Sequence, residues 1–228
     1  MYKSIYYPAI ILAFMLCMPA RAGIVVESTR YLYKQGAREI TAQIDNKDNI
    51  PYLIKSWVEA PKGQAPSFMV TPPLFRLEGN EKNTVRIFST ANLNAPADRE
   101  SIYFFNVMAI PPSDDSYANA NTVQLAVRHR MRLVYRPQAL LEKSINSEAE
   151  KLVWKKVGKK LVIKNPTPFF YYFNSIKING NEVKSSVNSI EPLSTKEVTL
   201  EQNMSGSTLT WKIVNDYGGA GSLYSTSL

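Results

Sequence analysis

The chain is poor in the residues that most often do chemistry. Its 228 residues include one cysteine, Cys17, and one histidine, His129. A thiolate metal site or a disulfide framework needs more cysteine than this, and the one thiol lies in a segment expected to be removed. A lone histidine within a strand-like alternation is far more often packed or solvated than a general base, and no Ser-His-Asp set can be assembled around it. The 10 glycines form no phosphate-binding loop. The 19 acids do not exclude a paired-carboxylate hydrolase by number, but nothing marks a pair. Long helical periodicity, short-period repeats and low-complexity tracts are also missing. The expectation is a protein without catalysis, cofactor or metal.

The first 22 residues read as a secretory signal. Lys3 supplies a weak positive start, an apolar run extends from Tyr6 to Pro19, and Ala20-Arg21-Ala22 has the small-x-small form of a cleavage site. The run is short for a membrane anchor. A lipoprotein reading of Leu16-Cys17 fits the neighbouring residues poorly. Cleavage after Ala22 would leave Gly23 first and take the only cysteine away, so the fold would be held by its core alone, which about 200 residues can do. Loss of Lys3 and Arg21 leaves 25 basic against 19 acidic residues, a charge of +6 in place of +8. The basic residues are scattered and no nucleic-acid motif accompanies them, so a solvated basic surface is expected, with no nucleic-acid partner.

What is abundant favours strands and turns: 13 tyrosines and 14 prolines. Ile40, Ala42 and Ile44 alternate, as do Val85 and Ile87. Tyr52 to Val58 is nearly continuous apolar chain broken by Lys55 and Ser56, as in a strand with both faces partly covered. Thr71-Pro72-Pro73 separates strands, and Ile102 to Ile110 is closed by Pro111-Pro112. Residues 113–121 are polar and turn-rich. The longest alternation follows, with Val123, Leu125, Val127, His129, Met131, Leu133 and Tyr135 on one parity. Continued to Arg136, such a strand would span about 45 Å at about 3.3 Å per residue, longer than usual and indicative of a protruding or two-part strand. Residues 138–150 read as a linker with some helical tendency. A second strand set follows, with an aromatic run from Phe169 to Phe173, a hairpin signal at Asn179-Gly180, and alternation at Val198/Leu200 and Leu209/Trp211/Ile213. The expected organisation is a signal at 1–22 and β domains at 23–139 and 140–228.

Several segments, in order, resemble the periplasmic chaperones of the chaperone–usher pilus pathway. They are Ser28-Thr29-Arg30-Tyr31; Asn49-Ile50-Pro51-Tyr52 with Trp57; Thr71-Pro72-Pro73 with Phe75-Arg76-Leu77; Asp98-Arg99-Glu100-Ser101 running into Phe105-Asn106-Val107 and Ile110-Pro111-Pro112; Leu133-Val134-Tyr135-Arg136-Pro137; Asn165-Pro166-Thr167-Pro168; and Asn215-Asp216-Tyr217-Gly218-Gly219. The resemblance covers almost the whole chain beyond the signal. It implies an all-β molecule of two immunoglobulin-like sandwiches in an L shape around a cleft. It further implies a periplasmic carrier that completes the fold of pilus or fimbrial subunits with a strand of its own and delivers them to an outer-membrane usher. A self-capped dimer of the free protein is compatible with it.

The resemblance also assigns roles. Val123, Leu125 and Val127 match the donor positions; burying three such side chains would contribute roughly 5–8 kcal/mol before association costs. On pattern alone the ordinary reading is that they face their own core. Arg30 and Arg132 match the two cations that hold the subunit's C-terminal carboxylate; the second is usually lysine, so Arg132 is a departure in reach and geometry. Glu100, Arg136 and Asp216 match a salt-bridge trio joining the domains. The short stretch between Pro112 and Val123, without flanking cysteines, points to the short-loop class, which serves rod-forming, adhesin-tipped pili. Two other readings stay open on the sequence alone: a secreted immunoglobulin-like adhesion or carbohydrate-binding module, and a pilus subunit, which would be shorter and of one domain.

Overall fold

A computed structural model describes residues 23–61, 66–91, 93–112, 123–183, 188–200, 204 and 206–228. Residues 1–22, read above as a signal and holding Cys17, and the whole 113–122 connection lie outside these residues. The first sandwich is built from β1 (Ile24–Val26), β2 (Arg30–Lys34), β3 (Ile40–Asn46), β4 (Tyr52–Glu59), β5 (Phe68–Thr71), β6 (Leu74–Leu77), β7 (Lys82–Ser89), β8 (Ser101–Ile110) and β9 (Val127–Arg136). One sheet runs β1-β3-β7-β5 and the other β2-β9-β8-β4-β6. The alternating residues Ala42, Ile44, Val85 and Ile87 meet Tyr103, Phe105, Val107 and Leu133 between the sheets. β4 buries Ile54 and Ser56 on one face; on the other, the solvent side of an antiparallel sheet, Leu53 and Lys55 are exposed and Trp57 is half-buried, so that face is covered only in part.

The second sandwich contains β10 (Val153–Val157), β11 (Lys160–Asn165), β12 (Tyr171–Ile178), β13 (Asn181–Glu182), β14 (Ser189–Ile190), β15 (Ser194–Thr199), β16 (Thr208–Val214) and β17 (Ala220–Ser227). β10-β11-β15 form one sheet and β13-β12-β16-β17 the other, with β14 on β12. Asn179 and Gly180, at φ 47° and 82°, make the tight turn into β13, as both must be left-handed in a type I′ hairpin. The 138–150 segment is more than a linker. A 3₁₀ turn at Gln138–Leu140 leads to helix α1 (Ile145–Ala149), capped by the Ser144 side chain. Leu140, Ile145 and Ala149 are buried in the second core.

Both domains pin the end of a strand with a buried asparagine. At the end of β3, the Asn46 side-chain amide donates to the carbonyls of Ile50 and Glu78, while its oxygen accepts from Asp48 N–H. At the end of β11, Asn165 donates to the carbonyls of Phe169 and Glu191 and accepts from Thr167 N–H and Oγ1. Each satisfies two loop carbonyls from a buried side chain. Asn165→Ala leaves those groups unpaired and is expected to cost about 2–4 kcal/mol. Urea unfolding of the variant, with a lowered midpoint and an unchanged slope, checks this.

Candidate functional site

β9 is paired unequally on its two sides. β8 covers it from Val127 to Tyr135. On the other side the parallel strand β2 begins only at Arg30, opposite Arg132. The Arg132 N–H points to that side, donating to the Thr29 carbonyl. Period-2 geometry therefore turns the backbone groups of Arg130 and Arg128 the same way. No strand among the described residues meets them. Such an edge is a template for a further strand.

The side chains change environment along the same strand. Met131, Leu133 and Tyr135 are buried in the domain core, whereas Val127, Leu125 and Val123 on the same parity are 55%, 74% and 87% exposed. The pattern-only reading, that all of them pack in their own sandwich, therefore fails for the first three. The strand is also shorter than the alternation implied. It starts at Val127, and Val123 to Ala126 form no ladder. β8 ends at Ile110, so these residues have run past their neighbour; the Gln124 side chain donates to the Pro111 carbonyl at 2.7 Å. On the outer face, Arg128 and Arg130 pair with Glu59 of β4 at 3.5 and 3.3 Å, and Arg130 lies over the Phe104 ring.

Where β2 begins, Arg30 and Arg132 are direct cross-strand partners. Partners share a face, and like charges so placed repel unless an anion joins them. That face meets the second domain. Arg30 is buried; its Nη1 donates to the Val214 carbonyl at 3.3 Å and its Nη2 lies 3.6 Å from Asp216 Oδ1, an ion pair too long for a hydrogen bond. Its Nε and Nη2 have no hydrogen-bond partner among the described residues. Burial draws its pKa below the ordinary arginine value, against the pull of Glu100 and Asp216. Arg132 is half-buried, its guanidinium 3.7 Å from the centre of the Tyr172 ring. A cavity of about 670 Å³ opens beside Arg30 and is lined also by Lys34, Arg136, Lys143, Asp216 and Tyr217.

Glu100, Arg136 and Asp216 come together at the junction. Arg136 Nη1 and Nη2 each donate to Asp216 at 2.7 Å, and Nε donates to Glu100 at 2.8 Å. The second Glu100 oxygen accepts from Phe170 N–H of the second domain, and Glu100 N–H donates to the Pro168 carbonyl. The β16–β17 turn delivers Asp216. The Asn215 side-chain oxygen accepts from Tyr217 and Gly219 N–H, while Gly218 takes φ 85° close to Thr29. Burial pushes the Glu100 carboxyl up, with Arg136 and the Phe170 N–H opposing. Burial also works against the Arg136 cation, but its bonds to Asp216 and Glu100 outweigh that and raise its pKa.

Residues 23–141 match the family described as pili and flagellar-assembly chaperone, PapD N-terminal domain, and residues 147–225 match the pili assembly chaperone PapD C-terminal domain. The chain belongs to the pili assembly chaperones. It is similar to the chaperone protein FimC of Escherichia coli K12, 37% identical over 209 residues that cover 91% of this chain and 85% of the relative. It is similar also to HifB of Haemophilus influenzae, 30% identical over 224 residues covering 94% and 92%. Among solved structures, the Salmonella enterica SafA pilin–SafB chaperone complex matches at a TM-score of 0.80 and 28% identity, covering 90% and 96% of the two chains. The E. coli chaperone DraB matches at 0.79 and 32%, covering 90% and 98%.

In this chaperone the junction and the open edge thus collect the donor, cation and salt-bridge residues that the resemblance marked. Sequence reasoning did not single out Tyr172 or Glu59. Tyr172 stood inside an aromatic run whose ordinary use is core, and only the register of β12 turns it to the junction. Glu59 contacts β9 across an intervening strand, which no local pattern reports.

Removing one member of a buried ion pair costs more than the pair itself contributes, because the survivor is left desolvated. Arg136→Ala is expected to lose about 3–5 kcal/mol near neutral pH. The pH dependence has a definite sign. A carboxyl whose folded-state pKa lies above its unfolded value stabilises the native state on protonation. Arg136 opposes the upward shift of Glu100, so its removal pushes that carboxyl up further. The loss should therefore shrink as pH falls from the variant's Glu100 pKa to the wild type's and level off below it. Denaturant melts of both proteins across the acid range check it.

Proposed function

We propose that this chaperone works in the periplasm, reached by cleavage after Ala22, where it lends the Val123–Val127 segment to pilus subunits whose own fold lacks a strand, and passes them to an outer-membrane usher. The observation that carries this reading is the half-covered β9, with unpaired backbone on one edge and three exposed aliphatic side chains continuing its core face. A strand added there gains ladder hydrogen bonds from the backbone, and its parent domain gains three apolar plugs at every second residue. The similar chaperone SafB is in complex with a pilin, which supports the same partner class here.

The junction supports a direction for the incoming strand. A strand on the open edge of β9 lies in line with β2 and must stop where β2 starts. Its end then stands beside Arg30 and Arg132. If that end is the C-terminus, its carboxylate meets two adjacent cations, one with unpaired donors, and the strand runs parallel to β9. Glu100, Arg136 and Asp216 hold the angle between the domains and keep the cations in place. Catalysis has no part in this scheme. In the absence of a subunit, a second copy can cover the edge as a self-capped dimer. A module that adheres to folded surfaces or sugars would have no use for an open edge continued by exposed valine and leucine.

Leu125 is the central plug. Leu125→Glu should abolish recovery of a co-expressed pilin with the chaperone while leaving its melting temperature within a few degrees, since the side chain makes no core contact. Leu125→Ala should weaken the complex roughly tenfold or more, from about 1.5–3 kcal/mol of lost burial. Wild-type recovery with the glutamate variant would refute the donor assignment. Intact mass of the protein from a periplasmic extract should correspond to a chain beginning at Gly23.

A further inference from the structure

The arginines of the β2-β9-β8 face are not equally committed. Arg30 and Arg136 face Asp216, and Arg128 and Arg130 face Glu59. Arg132 has no acidic partner among the described residues; its contact is the face of Tyr172, 3.7 Å from guanidinium carbon to ring centre. Tyr172 belongs to β12 in the other domain and is half-buried. A ring beneath a guanidinium occupies the face of the cation and leaves its in-plane N–H groups free. Those are the groups that fork a carboxylate. Without the ring, Arg132 would be a long side chain free to turn among many rotamers beside a second cation that repels it.

We infer that Tyr172 is a positioning residue for Arg132: its ring fixes the plane of the guanidinium so that the edge is presented to the terminal carboxylate of a bound chain. The inference rests on the carboxylate-anchoring reading given above. Arg132 and Tyr172 then act as one unit, which in this chain favours arginine over the lysine usual at the matching position. A lysine ammonium has no plane for the ring to orient and offers a point charge instead of a fork. Because the ring and the cation come from different domains, the anchor is assembled only when the junction is closed. The Glu100–Arg136–Asp216 trio thereby acts on binding through the same contact.

The test uses the full mature chaperone and one synthetic peptide of alternating apolar and polar residues, made with a free C-terminal carboxylate and as its amide. The wild type should prefer the acid. Tyr172→Leu should weaken binding of the acid about three- to tenfold, the span of a cation–ring contact, and leave the amide unchanged. Tyr172→Phe, which keeps the ring, should bind the acid within about twofold of wild type. Arg132→Gln should reduce the preference to what Arg30 alone supplies, and adding Tyr172→Leu to it should cost nothing more. Arg132→Lys, with Tyr172 intact, should lose at least about threefold on the acid, a measurement independent of how the Tyr172 variants fold. Equal binding of acid and amide by the wild type, or binding of neither, overturns the carboxylate reading itself. A preserved acid preference in Tyr172→Leu, or full affinity in Arg132→Lys, overturns the Tyr172 assignment alone.

Discussion

The rest of the molecule is arranged around one unpaired sheet edge. Backbone N–H and C=O groups demand partners, and β9 has them on both sides only from Arg132 onward. Upstream, one side is open among the described residues. The arrangement follows from how little chain is spent on β2. The N-terminal segment serves as β1 in one sheet, breaks at Glu27–Thr29, and crosses to the other as a strand of five residues. Ser28 holds the crossing: its hydroxyl donates to the Arg30 carbonyl and accepts from the Arg30 N–H. A longer β2 would close the edge and bury the site. A missing one would expose the whole of β9 and leave Arg30 without a strand to hold it.

The cost of the arrangement is concentrated at the domain junction. Two arginines side by side and a glutamate with almost no exposure are expensive to desolvate, and their attractions repay this only with good geometry. The geometry is good where it is structural. Arg136 grips Asp216 by a two-pronged fork, and Glu100 divides its oxygens between Arg136 and a backbone N–H of the second domain. It is incomplete at Arg30, which keeps two donors unpaired. That contrast separates the paired charges of the trio from Arg30, whose unpaired donors are what the proposed carboxylate would meet.

Much of this was legible in the chain. Ile40, Ala42, Ile44, Val85 and Ile87 lie where alternation put them, Asn179-Gly180 makes the turn its composition requires, and the trio was marked by motifs that bring Glu100, Arg136 and Asp216 together. The start of β9 was not legible. Val123 to Tyr135 keep one parity throughout because a side chain in its own core and a side chain destined for another protein's core obey the same two-residue period. Sequence cannot show where one ends and the other begins; that depends on β8 stopping at Ile110. The packing of Leu140, Ile145 and Ala149 was hidden too, since a five-residue helix is too short to display a period. Tyr172 was hidden because an aromatic run does not announce which ring leaves the core.

An open edge with valine and leucine beside it is also a route to aggregation, and the alternate positions of β9 bear on this. Arg128 and Arg130 flank the edge on the outer face, with Glu59 balancing one of the two charges. A second copy of β9 laid along the first would bring these cations against their own kind, at a cost that salt screens but does not remove. An incoming strand with uncharged or acidic residues there meets no such cost. The same residues that make the edge a poor partner for itself make it a better one for a different chain. On the donor-strand proposal, capping by a second copy would therefore be the weaker of the two, and selectivity would come from repulsion as well as from fit.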